Sequence, residues 1–116
     1  MTWDDASSLT VLAGEAPVDT PTATGYTADG EPGEAIALDG GGMSVVGTNL
    51  DGATQILFRY GEDGEPFYTG YPTDVTGTEV ECSGLGYSGD VQQENGYVSV
   101  MTPNGESNRI ACRYAI

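Results

Sequence analysis

The C-terminal stretch constrains the fold most, because it holds two β-rich runs on either side of a strong turn signal. The runs are residues 97–101 and 109–116, and Pro103-Asn104-Gly105 lies between them. Proline presets the first turn angle and Asn-Gly tolerates positive φ, so the pattern predicts an antiparallel hairpin. Period-two alternation in the second run puts four apolar side chains on one face, namely Ile110, Cys112, Tyr114 and Ile116.

Similar short runs recur along the chain with Gly, Pro or Asn between them. They are residues 34–38, 43–47, 76–82 and the hairpin-like stretch 54–71. In the run 76–82 the alternation directs Val80 and Cys82 inward and Glu79 and Glu81 outward. At 116 residues there is room for one core. The sequence therefore predicts an all-β domain, a small antiparallel sandwich or barrel.

The first part of the chain has a different composition. Residues 14–33 are rich in Pro, Thr, Ala, Asp and Gly without periodicity, which is typical of an extended arm or linker. We therefore predict an N-terminal arm over residues 1–33 and a β domain over residues 34–116. An arm of this kind cannot form a core of its own, so if it is ordered it must lie on another part of the protein or on another chain. The expected interface residues are Trp3, Leu9, Val11, Leu12, Pro17 and Pro21 of the arm, with Tyr68 and Tyr71 of the hairpin-like stretch.

The charge balance is extreme, with eighteen acidic residues, three basic residues and no histidine, for a net charge of −15. The basic residues are Arg59, Arg109 and Arg113, so lysine is absent. A disordered acidic tail is disfavoured because the acids are spread out and seven tyrosines are present. A nucleic-acid mimic would need ordered rows of carboxylates. Adaptation to concentrated salt would explain the surplus, since the screening length falls to about 3 Å at 1 M and repulsion between surface carboxylates almost vanishes. The absence of lysine favours this explanation, because an acidic mesophilic protein normally keeps some lysines among its glutamates.

The residue types needed for common catalytic chemistry are missing. Without histidine, imidazole acid–base catalysis, histidine triads and histidine metal sites are excluded. The acids of the turn at Glu62, Asp63 and Glu65 do not match a Ca²⁺-binding loop. Glu79 and Glu81 lie on one strand, whereas a glycosidase pair usually comes from separate strands. We therefore predict no catalytic residues, no cofactor and no metal site.

Two further classes of partner are also excluded by composition. The charge opposes nucleic-acid binding, because Arg59 is the only cation near the aromatic residues that could stack on bases. No apolar run approaches the roughly 20 residues of a membrane span. The first five residues are acidic where a signal peptide would be basic. If Met1 is the native start, we expect no export by the usual route; if it is not, a removed signal peptide stays open.

Cys82 and Cys112 leave two possibilities open. Both fall on faces predicted to be buried, so a disulfide between neighbouring strands is geometrically open. Two buried free thiols in a reducing compartment are equally compatible with the pattern.

Two resemblances follow from these features. The composition resembles that of haloarchaeal proteins. The segment 16–24 (APVDTPTAT) leading into the run 33–40 (GEAIALDG) resembles the arm of small head-decoration, or cement, proteins of tailed viruses. That resemblance implies a non-enzymatic protein of the virion, assembled in the host cytoplasm. Its partners would be the major capsid protein or another virion protein, and we expect a homo-oligomer, a trimer on the capsid lattice.

Three other functions remain open at this point. One is a secreted or surface β-sandwich binding module with a Cys82–Cys112 disulfide, located outside the cell. Another is a tail or turret component of the same virion. The last is an enzyme with paired carboxylates, which a bound sugar or metal in a cleft would support.

Overall fold

Ten short β-strands and no helix make up residues 20–116, the part of the chain that the computed structural model describes. The strands are β1 (Thr22–Ala28), β2 (Glu31–Pro32), β3 (Met43–Thr48), β4 (Gln55–Arg59), β5 (Tyr68–Gly70), β6 (Asp74–Val75), β7 (Glu79–Cys82), β8 (Asn95–Thr102), β9 (Gly105–Glu106) and β10 (Ile110–Arg113). The predicted all-β class is confirmed.

The strands form two antiparallel sheets. The first sheet has the order β2-β1-β3-β7-β6. The second has the order β9-β8-β4-β5, and β10 pairs with β8 on the same side as β9. Both sheets end in short strands, which limits the unpaired edge that each offers to other chains.

A single core joins the two sheets into a sandwich. Val45 and Val80 of the first sheet and Ile56, Phe58 and Val98 of the second belong to one cluster and have no exposed surface. Each side chain buried in this way stabilises the fold by about 1.5–3 kcal/mol.

The predicted C-terminal hairpin is present. Thr102 pairs with Gly105 across a turn formed by Pro103 and Asn104, and Gly105 has a φ of 116°. Cys112 and Tyr114 are buried while Ala111, Arg113 and Ala115 are exposed, as the alternation predicted. Ile116 departs from the prediction: it is 86% exposed, because β10 ends at Arg113 and no strand covers the last residues.

The predicted arm is wrong from Thr22 onward. Thr22–Ala28 is a seven-residue strand that pairs with β3, and Glu31–Pro32 pairs back onto it. Asp29 and Gly30 have φ values of 52° and 85° and form the two-residue turn between these strands. The prolines are compatible with the sheet because Pro21 precedes β1 and Pro32 lies in an edge strand.

The predicted strand over residues 34–38 is also wrong. Only Ile36 pairs there, in an isolated parallel bridge with Tyr114, and a second isolated bridge joins Asp39 to Gly86. The segment changes partner along its length. Ile36 bonds to the backbone of Arg113 and Ala115, while the Leu38 carbonyl accepts from Tyr87. A connection divided between two partners cannot form a continuous ladder.

Side chains close the gap between β1 and the C-terminal hairpin. The Asn108 amide accepts from the backbone N–H of Ala23 at 2.8 Å and donates to its carbonyl at 3.0 Å. The Tyr26 hydroxyl accepts from the backbone N–H of Arg113 at 3.1 Å. β1 is therefore part of the closed body, and its removal would expose the core.

Candidate interaction surface

A loop over residues 83–94 crosses from β7 to β8 and is fixed by tyrosine hydroxyls. The Tyr68 hydroxyl accepts from the backbone N–H of Gly86 at 2.8 Å, and the Tyr60 hydroxyl accepts from that of Gln92 at 2.9 Å. The backbone N–H of Tyr87 donates to the Leu38 carbonyl at 2.9 Å. These bonds give a loop without regular structure a defined position.

A cluster of aromatic rings supports this loop. Tyr60 and Phe67 stack with centroids 3.9 Å apart, and Tyr87 contacts Phe67 edge-on at 5.3 Å. Tyr114, which is fully buried, contacts Phe67 edge-on at 5.3 Å. Its hydroxyl lies 2.7 Å from the carbonyl oxygen of Arg59 and 3.0 Å from that of Tyr97. Burial raises the pKa of this hydroxyl well above its usual value, so Tyr114 is a neutral structural group.

An apolar cleft of about 490 Å³ lies beside the loop. Its walls come from the connection after β2, from the loop and from the last residues, and they comprise Ala37, Leu38, Asp39, Tyr87, Gly89, Asp90, Val91, Ala115 and Ile116. We call this feature the apolar cleft. Its volume is in the range of ordinary ligand-binding clefts, and most of its lining is apolar.

Two acidic residues line the apolar cleft, Asp39 and Asp90. All three arginines are among the described residues and each pairs with Glu106 or Glu94, so none of them forms an ion pair with Asp39 or Asp90. The cleft therefore combines an apolar lining with uncompensated negative charge.

A partly buried ion-pair network lies on the second sheet, with the buried Arg59 at its centre. The register places Ser99 opposite Leu57 and Glu106 opposite Met101, so the Arg59 side chain reaches both polar groups across the sheet. Its Nη1 donates to Ser99 Oγ at 3.1 Å and to Glu106 Oε2 at 2.9 Å. Its Nε donates to the Gly64 carbonyl at 2.7 Å. The Arg59 side chain is only 6% exposed, so each of these bonds replaces lost hydration.

Glu106 also binds the second arginine. Arg109 donates to both oxygens of Glu106, at 3.0 Å to Oε2 and 3.2 Å to Oε1, and Ser99 Oγ donates to Oε2 at 2.5 Å. Burial acts to raise the pKa of Glu106, but the hydrogen bonds and the two guanidinium charges outweigh it and hold the pKa below its ordinary value of 4.5.

The third arginine forms a surface pair. Arg113 donates to Glu94 Oε2 from Nε at 3.0 Å and from Nη2 at 2.7 Å. The two side chains are 52% and 48% exposed, so water and salt compete for this pair.

A second cavity of about 420 Å³ is acidic. Asp29, Glu79 and Glu81 line it together with the glycines at 40–42. As the alternation predicted, Glu79 and Glu81 point outward while Val80 and Cys82 are buried. Among residues 20–116, no group of three or more acidic or cysteine side chains is arranged to hold a metal ion.

Both cysteines are buried free thiols in this structure, so the disulfide considered for them is not formed. Cys82 lies on β7 of the first sheet, and its Sγ donates to the Tyr71 carbonyl at 3.3 Å. Cys112 lies on β10 of the second sheet. Burial raises the pKa of Cys82 and raises that of Cys112 to about 11, which disfavours the reactive thiolate.

The residues predicted at an interface have different positions. Trp3, Leu9, Val11, Leu12 and Pro17 lie outside the described residues. Pro21 is buried next to β1. Tyr68 packs against Phe58 and Tyr87, with centroids 5.5 and 5.4 Å away, whereas Tyr71 is 66% exposed.

Sequence reasoning missed the apolar cleft itself. Its lining comes from three segments far apart in the chain, which are brought together by the two isolated bridges and by further backbone bonds between connecting segments. The alternation of apolar residues, which identifies strands, carries no information on such a site.

No protein-family model matches this chain, and a search of characterised proteins gives no significant match. None of the described residues belongs to a helix that is long and apolar enough to cross a membrane.

Proposed function

We propose that this chain is a non-enzymatic virion protein, a decoration or cement protein on the capsid of a tailed virus whose host lives in concentrated salt. The observation that carries the proposal is that the few cations of the chain are all paired internally. All three arginines pair with glutamates of the same chain, and the other acidic side chains outnumber them severalfold. Such a surface is well hydrated in brine and suits a protein that works by contact.

The lack of the residue types that most often act as bases and nucleophiles supports a structural role. The sequence has no histidine and no lysine, and both cysteines are buried thiols with raised pKa values. The aromatic side chains that could have formed a stacking platform are largely used inside the fold, since Tyr60 and Tyr68 hold the loop over residues 83–94. The surface that remains, acidic and with the apolar cleft, is suited to binding other chains.

The partners in this proposal are the major capsid protein and further copies of this chain, with three copies at each site of the capsid lattice. The part of the predicted arm that precedes Thr20 would contact a neighbouring subunit. It carries the apolar side chains Leu9, Val11 and Leu12, whose burial against a neighbour would offset the ordering of the segment.

Immunogold labelling of purified virus particles tests the location. An antibody raised against the recombinant chain should label the surface of the head. Label on the tail would identify a tail component instead. Label on the cell envelope with bare particles would favour the second candidate, a secreted or surface binding module, which the apolar cleft also supports.

A change in the N-terminal segment tests its role in attachment. Deleting residues 1–33 is unsuitable, because it would remove β1 and β2 from the first sheet. Replacing Leu9, Val11 and Leu12 with serine leaves the sequence of residues 20–116 unchanged. This variant should no longer attach to particles. The matched control replaces Thr2, Ser7 and Ser8 with alanine and should attach normally. Equal attachment of the two variants would remove this role.

A further inference from the structure

We propose that the apolar cleft binds a segment of another protein that presents an apolar side chain together with a lysine or arginine. This inference rests on the proposed function in one respect, that the molecule works by contacting other chains, and it assigns the chemistry of the contact.

The shape of the cleft suits a pair of side chains. Leu38, Tyr87, Val91 and Ile116 line a volume of about 490 Å³, and Ile116 is 86% exposed in the free molecule. The walls are held by main-chain bonds, including Tyr87 N–H to the Leu38 carbonyl at 2.9 Å and Gly40 N–H to the Leu85 carbonyl at 2.6 Å. A preformed cleft loses little entropy on binding, so more of the burial energy appears as affinity.

The charge of the cleft identifies the second feature of the partner. Asp39 and Asp90 line it, and neither pairs with an arginine, because Arg59, Arg109 and Arg113 are bound to Glu106 and Glu94. A partner that brings a cation would therefore gain a contact that the arginines of this chain do not supply. A cationic side chain would place its ammonium or guanidinium at these carboxylates and its aliphatic stem along the apolar wall.

Charge also favours a basic partner over two other possible occupants of the cleft, a second copy of this chain and its own N-terminal segment. A second copy of the chain would bring a surface with the same excess of carboxylates. The chain's own N-terminal residues include Trp3 and Leu9 but also Asp4 and Asp5, with no basic side chain before Arg59. Both would set like charges against Asp39 and Asp90.

Two peptides can serve as probes. Acetyl-Leu-Arg-Leu-amide carries the proposed cation, and acetyl-Leu-citrulline-Leu-amide is its neutral counterpart. In an NMR titration of the full-length chain in about 0.2 M KCl, where charges beyond roughly 7 Å are screened, the arginine peptide should shift the resonances of Leu38, Tyr87 and Val91. The citrulline peptide should bind the same site about fivefold more weakly.

Two pairs of variants provide matched controls. Combined Asp39→Asn and Asp90→Asn should weaken the arginine peptide about fivefold or more and leave the citrulline peptide unchanged. Combined Glu79→Gln and Glu81→Gln, with the same change of charge in the acidic cavity, should have no effect. Ile116→Ser should weaken both peptides about tenfold, whereas Tyr71→Ser, an exposed aromatic outside the cleft, should weaken neither.

Several outcomes would overturn the inference. The inference fails if neither peptide binds, or if the resonance shifts map to residues outside the apolar cleft. It also fails if the two peptides bind with equal affinity, or if the matched control variants lose as much affinity as the cleft variants. Trp3 is the only tryptophan, so its fluorescence reports on the chain's own N-terminal segment. A change in its emission on titration, or a shift of the cleft resonances in Trp3→Ala, would assign the cleft to that segment. Cleft shifts that depend on protein concentration alone would assign it to a second copy.

The two proposals fail separately. If the peptides do not bind but the antibody labels virus heads, only the cleft assignment is lost. If the peptides bind at the cleft and no particle is labelled, the chemistry of the contact stands and the virion role is lost.

Discussion

Glu106 and Glu94 both bind arginine, but they occupy opposite environments. Glu106 has a side chain only 21% exposed and holds Arg59 and Arg109 together, whereas Glu94 is 48% exposed and holds Arg113 alone. The first carboxylate compensates a guanidinium that water cannot reach, and the second competes with water for its partner. In a chain with three cations, the same kind of contact is therefore structural in one place and marginal in the other.

Glu106→Gln should have the largest effect. It leaves the Arg59 guanidinium buried without a carboxylate, and we expect a loss of about 2–3 kcal/mol in the free energy of unfolding. Urea titration followed by circular dichroism measures it. Glu94→Gln is the matched control and should unfold at the wild-type midpoint. Equal midpoints for all three proteins would contradict a structural role for Glu106.

Arg59→Met should cost less than Glu106→Gln, about 1–2 kcal/mol, although it removes the more deeply buried partner. The reason is that Glu106 keeps Arg109 at 3.0 and 3.2 Å, so no carboxylate is left without a counter-charge. The same urea titration ranks the two variants. A larger loss for Arg59→Met would mean that the contacts of Arg59 with Ser99 and Gly64 dominate.

Acid should remove the contribution of Glu106. Its pKa in the folded state lies below the ordinary value of 4.5, so its stabilisation is fully present above about pH 4.5 and is lost as pH falls through the folded pKa. The difference in unfolding free energy between wild type and Glu106→Gln should therefore shrink as the pH falls below about 4.5, through the lowered folded-state pKa. A difference that stays constant through this range would show that proton uptake at Glu106 is not linked to unfolding.

Glu94→Gln should have the smallest effect, and only in dilute salt. Because the pair with Arg113 is exposed on both sides, raising KCl to about 1 M should erase any difference from wild type. Thermal unfolding at low and high KCl measures this. The Glu106→Gln difference should persist at both concentrations, since the Arg59 side chain is only 6% exposed and is shielded from ions. Salt-insensitive destabilisation by Glu94→Gln would contradict the assignment of this pair as a surface contact.

The local patterns in the sequence predicted only part of this fold. Alternation correctly oriented Val80 and Cys82, and Pro-Asn-Gly located the C-terminal turn. The strand Thr22–Ala28 escaped prediction because nearby prolines and glycines suggested an arm, although Asp29-Gly30 is itself a hairpin signal.

The ion-pair network and the apolar cleft were beyond prediction for a different reason. Arg59 and Glu106 are brought together by the registers of β4, β8 and β9, and Leu38 meets Tyr87 only through contacts between connecting segments. These features depend on how strands are arranged in space. No spacing of residue types along the chain specifies that arrangement.

The dependence of the unfolding free energy on KCl tests most directly the proposal that the acidic surface is adapted to salt. With its arginines committed to internal pairs, the folded chain carries self-repulsion that salt relieves. We expect the free energy of unfolding to rise steadily as KCl increases from about 0.2 M to about 2 M, where the screening length falls below 3 Å. A free energy that is unchanged or falls over this range would contradict the proposal.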